Sequence, residues 1–284
     1  TRVGIIAGRG ILPQQIAERR QAAGRPYLLI VFQDCFSPWM ADHPHQHHEF
    51  EKAGRVFRAL RDAAATHVVF AGAMDRPKLR LWRADLKAAG LAAKALRLLG
   101  KGDDAMLRGL AGIFEAEGLT MIGAADILGA GATIAAGALG TVQPSQKDMS
   151  DAARAARIVE ALGPHDVGQG AIVAEGVCLA VEAIEGTDLM LARVADLPAG
   201  KRASAPPPAG VLFKGPKPGQ DRRLDMPTIG AQTVEGAARA GLKGIVAAAG
   251  ETVLIDQSST RQAADKAGLF VYGATAEELT AWAR

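Results

Sequence analysis

Four short segments in the first half of the chain, VGIIA (3–7), YLLIVF (27–32), HVVFAG (67–72) and LTMIG (119–123), are apolar along most of their length. Amphipathic stretches such as Ala53 to Ala65 and Asp103 to Glu117 separate them. A strand without a polar face has to be covered on both sides, and helices between successive strands are what cover it. The first half therefore predicts a doubly wound, Rossmann-like parallel sheet. After about residue 135 the pattern changes. Ser150 is expected to cap a helix running to Leu162, and AIVAEGVCLAVEAI reads as two strands joined at Glu175-Gly176. LPAGKRASAPPPAG (197–210) reads as an irregular, exposed connection. A strand at VLF, a helix over Thr233 to Ala240, strands in GIVAAAG and ETVLID, a helix near Ser259 to Ala267, a strand at LFVYG and a last helix from Ala276 complete the chain. The expectation is an α/β protein of two domains, an N-terminal Rossmann-like domain at 1–133 and a C-terminal mixed α/β domain at 134–284. A ligand chamber between them is expected, because ligands of such folds sit at strand ends and domain junctions.

Composition sets limits on function. The 284 residues are 49% hydrophobic, enough for a real core, and the formal charge of +3 is spread along the chain. No basic tail or arginine-rich helix is present, so nucleic acid is not expected as a partner. Cys35 and Cys178 lie far apart with no CxxC spacing, which fits a reducing compartment. The apolar run in TRVGIIAGRG is too short for a signal peptide, and no segment reaches the roughly 18 uninterrupted apolar residues of a membrane span. Glycine punctuates the stretch Gly129 to Gly140, which reads as small-residue packing.

Five stretches carry candidate chemistry. GIIAGRGILP (4–13) has the strand, glycine turn and helix order that presents backbone N–H groups to an anion, and Gly8 and Gly10 permit close approach. As a dinucleotide fingerprint it fails, because Pro13 stands where the third glycine belongs. HPHQHHEF (43–50) has four histidines but neither helical pairing nor a distant second ligand pair, and is expected to be an exposed loop. In VEAIEGTDLMLAR (181–193), Thr187 or Asp188 is expected at a helix cap, with Glu182, Glu185 and Asp188 crowding where a hard cation takes oxygen ligands. TVQPSQKDMSDAAR (141–154) is a pre-helical turn with Lys147, Asp148, Ser150 and Asp151; capping accounts for Ser150 and Asp151, and Lys147 facing an anion is the less favoured alternative.

LFKGPKPGQDRRLDMPTIG (212–230) packs four cations, two aspartates, three prolines and three glycines into nineteen positions. A flexible tether has no use for three prolines fixing φ around its charges. Lys214, Lys217, Arg222 and Arg223 around Asp221 and Asp225 suit a metal-bridged phosphate, with cations on the oxygens and carboxylates on Mg²⁺. Composition leaves a solvated, salt-bridged loop equally open.

GIIAGRGILP, PSQKDMSDAARA, VEAIEGTDLMLAR and above all LFKGPKPGQDRRLDMPTIG are similar to the LpxI-type UDP-2,3-diacylglucosamine pyrophosphatases of lipid A biosynthesis, and the resemblance runs over essentially the whole chain. It implies Mg²⁺-dependent hydrolysis of UDP-2,3-diacylglucosamine to UMP and 2,3-diacylglucosamine 1-phosphate, called lipid X. The metal and GNHE-type motifs of the metallophosphoesterases that cut the same nucleotide are absent, as is a Nudix box. The family's essential aspartate falls on Asp225. Asp188 is the next metal-holding and catalytic candidate, with Asp221 or Glu185 as alternatives. Lys214 and Arg222 are expected to hold phosphates, with Lys147, Ser150 and Thr187 assisting. Gly8, Gly10, Leu12 and the segment Ala73, Met74 and Asp75 are expected as further substrate contacts. A cytoplasmic protein making peripheral contact with the inner face of the inner membrane is implied, and a homo-oligomer is left open. Two other classes compete, a nicotinamide-dependent oxidoreductase built on the GxG turn and a noncatalytic lipid-binding protein. Pro13 and the lack of a ribose-binding acid weigh against the first. Two acidic turns and a cationic loop in one half of the chain weigh against the second.

Overall fold

A computed structural model describes residues 1–74, 90, 103–198 and 209–283. Asp75 and most of the connection at 197–210 lie outside the described residues. The chain divides into two compact units. One comprises Thr1–Gly129 together with a five-residue excursion, Asp221–Asp225, and the other comprises Ala130–Gln220 and Met226–Arg284.

The first unit is built on a five-stranded parallel sheet of β1 (Val3–Ala7), β2 (Tyr27–Phe32), β3 (His45–His48), β4 (His67–Ala71) and β5 (Thr120–Met121), in the order β3-β2-β1-β4-β5. The all-apolar strands are covered on both faces, as their composition requires. Val3, Ile5 and Ala7 point to one side with Leu29, Val31 and Val69, where α1 (Leu12–Ala22) and α4 (Ala124–Leu128) supply Ile16, Ala17 and Ala124. Ile6 points to the other side with Leu28, Ile30 and Val68, against Val56, Phe57 and Leu60 of α2 (Ala53–Asp62) and Ala111 and Phe114 of α3 (Asp103–Ala116). The period of two along each strand divides its side chains between the two cores.

The histidine tract is not a loop. His45 to His48 form the edge strand β3, paired in parallel with Leu29 to Phe32. An outer strand needs backbone partners on one side only and tolerates polar side chains, which is why polarity alone misplaces it. His48 is buried, and burial pushes its imidazole below the ordinary histidine value, toward the neutral form. Among the described residues, no three His, Cys, Asp or Glu side chains are grouped to hold a metal ion.

The second unit holds a six-stranded mixed sheet of β6 (Gly137–Ala138), β7 (Gly170–Ala174), β8 (Val177–Val181), β9 (Val211–Lys214), β11 (Gly244–Ala248) and β13 (Phe270–Ala274), in the order β6-β13-β11-β9-β7-β8. The central trio β9, β11 and β13 is parallel, β6 and β7 flank it antiparallel, and β8 pairs antiparallel with β7 at the edge. A short parallel pair, β10 (Thr228–Ile229) and β12 (Val253–Leu254), stands apart. One face of the sheet, with Ile172, Leu212, Ile245 and Val271, buries α6 (Gly186–Ala195), α7 (Ala231–Arg239) and α8 (Gln257–Ala267). The other, with Ala171, Val173, Phe213 and Val246, buries α5 (Gln146–Leu162) and carries α9 (Ala276–Trp282) at its margin. Glu175 and Gly176 both take positive φ, 52° and 78°, the conformation of a two-residue hairpin turn, so the β7–β8 hairpin lies where the sequence puts it. The Asp151 carboxylate accepts both turn amides, from Glu175 at 2.8 Å and Gly176 at 2.7 Å.

The helix expected to begin at Ser150 begins one turn earlier. Ser145 caps α5 in a reciprocal box with Asp148, whose carboxylate takes the Ser145 amide at 2.9 Å. Ser150 lies inside the helix and donates to the Gln146 carbonyl. Among the described residues no helix is long and apolar enough to cross a membrane.

The excursion Asp221–Asp225 is pinned to the first unit by one apolar side chain. Leu224, 6% exposed, joins the core of Phe57, Phe114 and Met121. Truncation to alanine leaves a cavity there, and Leu224→Ala is expected to destabilise the first unit by about 2–5 kcal/mol in denaturant unfolding.

Candidate active site

The β1–α1 turn and the chain leaving β4 form one local structure. The Gly8 amide donates to Ala71 O at 2.8 Å, the Arg9 amide to Ala73 O at 2.7 Å, and the Ala73 amide returns to Arg9 O at 3.0 Å. A Cβ on Gly8 would stand 2.6 Å from Ala73 O and 2.7 Å from Gly72 O, so glycine is required by the approach of the two backbones. The Gly8–Gly10 turn and Ala73 are thus adjacent, while Leu12 packs against the core of Val3, Ile5 and Ala7 and Met74 against that of Ile6, Phe57 and Leu60. Gly10 sits at φ +97° with open space where a side chain would project. No side chain caps α1, and Pro13 occupies its first turn, where a missing N–H costs nothing.

The acids of EGTD are dispersed rather than convergent. Gly186, at φ +77°, opens α6 directly, so Thr187 and Asp188 lie in its first turn and Glu185 takes the cap position without a side-chain cap bond. Glu185 pairs with Arg193 at 2.7 Å and Asp188, exposed, accepts from Gln232 Nε2 at 2.9 Å. Glu182 turns inward to Lys214.

Lys214 ends β9 and is 4% exposed, and Glu182, just past β8, is 8% exposed. The Lys214 ammonium donates to Glu182 Oε1 at 2.9 Å, to Glu182 Oε2 at 2.7 Å and to Thr187 Oγ1 at 2.6 Å; the Thr187 hydroxyl donates in turn to Glu182 Oε1 at 2.8 Å. A buried charge needs this degree of satisfaction, because desolvating an unpaired ion costs several kcal/mol. Two of the expected phosphate contacts, Lys214 and Thr187, therefore meet, and the acid that joins them is one the sequence offered only as a metal oxygen.

Lys217 and Arg223 of the 212–230 stretch also have acidic partners. Lys217 pairs with Asp166, and its amide takes the Gln220 side-chain oxygen at 2.9 Å. Arg223 grips Asp221 through Nε at 3.1 Å and a terminal nitrogen at 2.7 Å, and reaches Glu115 at 3.3 Å. These bonds hold the Asp221 carboxyl below the usual carboxylate range, the Arg223 side chain being the main cause. Asp225 is half-buried, with its amide directed to Asp221 O at 3.3 Å, and Arg222 is exposed. Lys147, exposed on α5, pairs with Glu175 at 2.6 Å. The pairings with Glu182, Asp166 and Glu115 were invisible in sequence because these acids are 32, 51 and 108 residues from their partners, whereas Asp221 is only two residues from Arg223. Ser145, missed as the α5 cap, was legible, since Ser-x-x-Asp is a capping signature.

The fold and these residues define a two-domain α/β protein whose motif-bearing loop is braced by ion pairs. Residues 2–130 match the family model of the LpxI N-terminal domain and residues 135–272 that of the LpxI C-terminal domain. The UDP-2,3-diacylglucosamine pyrophosphatase LpxI of Caulobacter vibrioides (strain ATCC 19089 / CIP 103742 / CB 15) is 41% identical over 277 residues, 98% of this chain and 99% of the relative. The chain belongs to the LpxI family.

Two measurements check the pairing. Lys214→Ala leaves Glu182 buried without its cation and is expected to lower the unfolding free energy by about 3–5 kcal/mol. In Arg223→Ala the Asp221 carboxyl, followed by NMR titration, is expected to rise back to the ordinary carboxylate range. Because the folded-state value is the depressed one, the stabilisation from Asp221 is present above the unfolded value and disappears as pH falls through the folded one.

Proposed function

We propose that this protein hydrolyses the pyrophosphate of UDP-2,3-diacylglucosamine, releasing UMP and 2,3-diacylglucosamine 1-phosphate. The observation that carries this reading is the match to a UDP-2,3-diacylglucosamine pyrophosphatase over 98% of the chain. Water adds across the P–O–P bridge: one bridging P–O bond breaks and one P–O bond to the water oxygen forms. The substrate brings two negative charges, so its binding calls for cations and donors. Lys214 with Thr187, and exposed Arg222, are the phosphate contacts in this proposal. Lys147 and Ser150 assist from α5, and Gly8, Gly10, Leu12, Ala73 and Met74 form the second set of contacts.

A Mg²⁺ requirement fits the donors present. This ion keeps several waters and asks the protein for one or two carboxylates, the rest of its octahedron coming from phosphate oxygens. A cage of three acids is therefore unnecessary. Asp225 is the carboxylate assigned to it, with exposed Asp188 as the second; Asp221 is less suited because Arg223 holds both of its oxygens. When bound, the ion supplies neutralisation of the pyrophosphate and lowers the pKa of a coordinated water.

The substrate is a lipid, so the protein would collect it at a membrane surface as a peripheral visitor from the cytoplasm. Each acyl CH₂ withdrawn from water contributes about 0.8 kcal/mol, enough to make release of the lipid product the slow step. Asp225→Asn is expected to reduce UMP release from UDP-2,3-diacylglucosamine with Mg²⁺ at least 100-fold while leaving the thermal midpoint within a few degrees, and EDTA is expected to abolish wild-type turnover. Near-normal turnover of the variant removes Asp225 from the reaction.

A further inference from the structure

We infer that Glu182 is a positioning residue for the phosphate-binding ammonium of Lys214. Resting on the hydrolase reading above, this goes beyond it by assigning a residue that touches no substrate. Lys214 has three N–H donors, and all three are committed: two to the carboxylate of Glu182 at 2.9 and 2.7 Å and one to the hydroxyl of Thr187 at 2.6 Å. An incoming phosphate oxygen can take the ammonium only by replacing one of them. The Thr187 hydroxyl is the uncharged acceptor and the one on the first turn of α6, so it is the one exchanged, while Glu182 keeps its two bonds and fixes the direction of the freed N–H.

The surroundings of Glu182 are shaped for this. A Cβ at Gly168 would lie 2.1 Å from the Glu182 carbonyl oxygen, and one at Gly170 would lie 2.8 Å from Oε2. Neither glycine has a positive φ, so glycine at these places serves the close approach of Glu182 rather than an unusual backbone conformation. Glycine at 170 leaves the carboxylate room to lie against the first residue of β7 and face the end of β9. A buried acid in a fitted recess, using both oxygens on one ammonium, orients that ammonium and also cancels its charge.

Charge cancellation gives the inference a signature that loss of structure does not imitate. In Glu182→Gln the ammonium is released from its counter-charge and from its fixed direction. The variant is expected to bind inorganic pyrophosphate at least threefold more tightly than wild type by calorimetry, yet to release UMP from UDP-2,3-diacylglucosamine with kcat reduced at least tenfold and KM not raised. Glu182→Asp, which retains the charge, restores the pyrophosphate affinity of wild type. Gly170→Ala keeps every charge and displaces only the carboxylate; it is expected to lower kcat at least threefold with pyrophosphate affinity within twofold of wild type, and it tests the assignment even if Glu182→Gln does not fold. The inference is overturned if Glu182→Gln and Gly170→Ala both keep kcat within twofold of wild type, or if affinity and kcat fall together in proportion to lost folded protein. A wild-type protein that binds pyrophosphate but does not cleave the lipid nucleotide refutes the hydrolase reading, and the affinities of the variants still decide the role of Glu182.

Discussion

Placing a lysine ammonium at the end of a central strand, almost out of contact with water, is expensive unless its charge and its three donors are all answered. In this protein Glu182 and Thr187 answer them. The requirement reaches well beyond the three side chains. It fixes the chain just after β8, the first turn of α6 and the end of β9 around one point, and it demands glycine at 168 and 170 so that the acid can come close. Such a pair is poor evidence for stability as such, because well-packed apolar residues often do as well.

The same principle organises the rest of that stretch. Lys217 is held by Asp166, and Arg223 by Asp221 and Glu115, so the loop is shaped by pairing as well as by its prolines. Leu224 then acts as an apolar anchor, carrying Asp221–Asp225 into the core of the first unit while the flanking residues belong to the second. The two readings left open by composition, a salt-bridged loop and an anion site, are compatible: the pairs stiffen the loop, and a stiff loop holds Asp225 and Arg222 at reproducible positions. Preorganisation of this kind is what a reaction driven by charge stabilisation needs.

Membership of the LpxI family rests on both halves of the chain, each matched by its own domain model. The glycine turn after β1 illustrates why a family match and a generic motif carry different information. By form it resembles a dinucleotide-binding turn, but Gly8 is required there by the carbonyl oxygens of Gly72 and Ala73, a packing constraint internal to the domain. Of the two glycines in this turn, Gly10 is the one with open space at its side-chain position.

Local physics made much of the architecture legible. Strands β1, β2, β4, β7, β8, β9, β11 and β13 lie where apolar runs and turn residues put them, because the period of a strand and the positive φ of a hairpin turn are properties of adjacent residues. Errors arose where a nonlocal partner decided the outcome. His45 to His48 became a strand because β2 offered an edge, and Glu185, Asp188 and Glu182 parted because Arg193, Gln232 and Lys214 drew them in different directions. The α5 cap moved from Ser150 to Ser145 although its signature was local, so that miss was one of reading. The sequence by itself determined the α/β pattern, the family and the residues that carry charge in the motif. Only the tertiary structure decided which charge answers which, because an ion pair depends on distance and burial, and neither exists until the chain has folded.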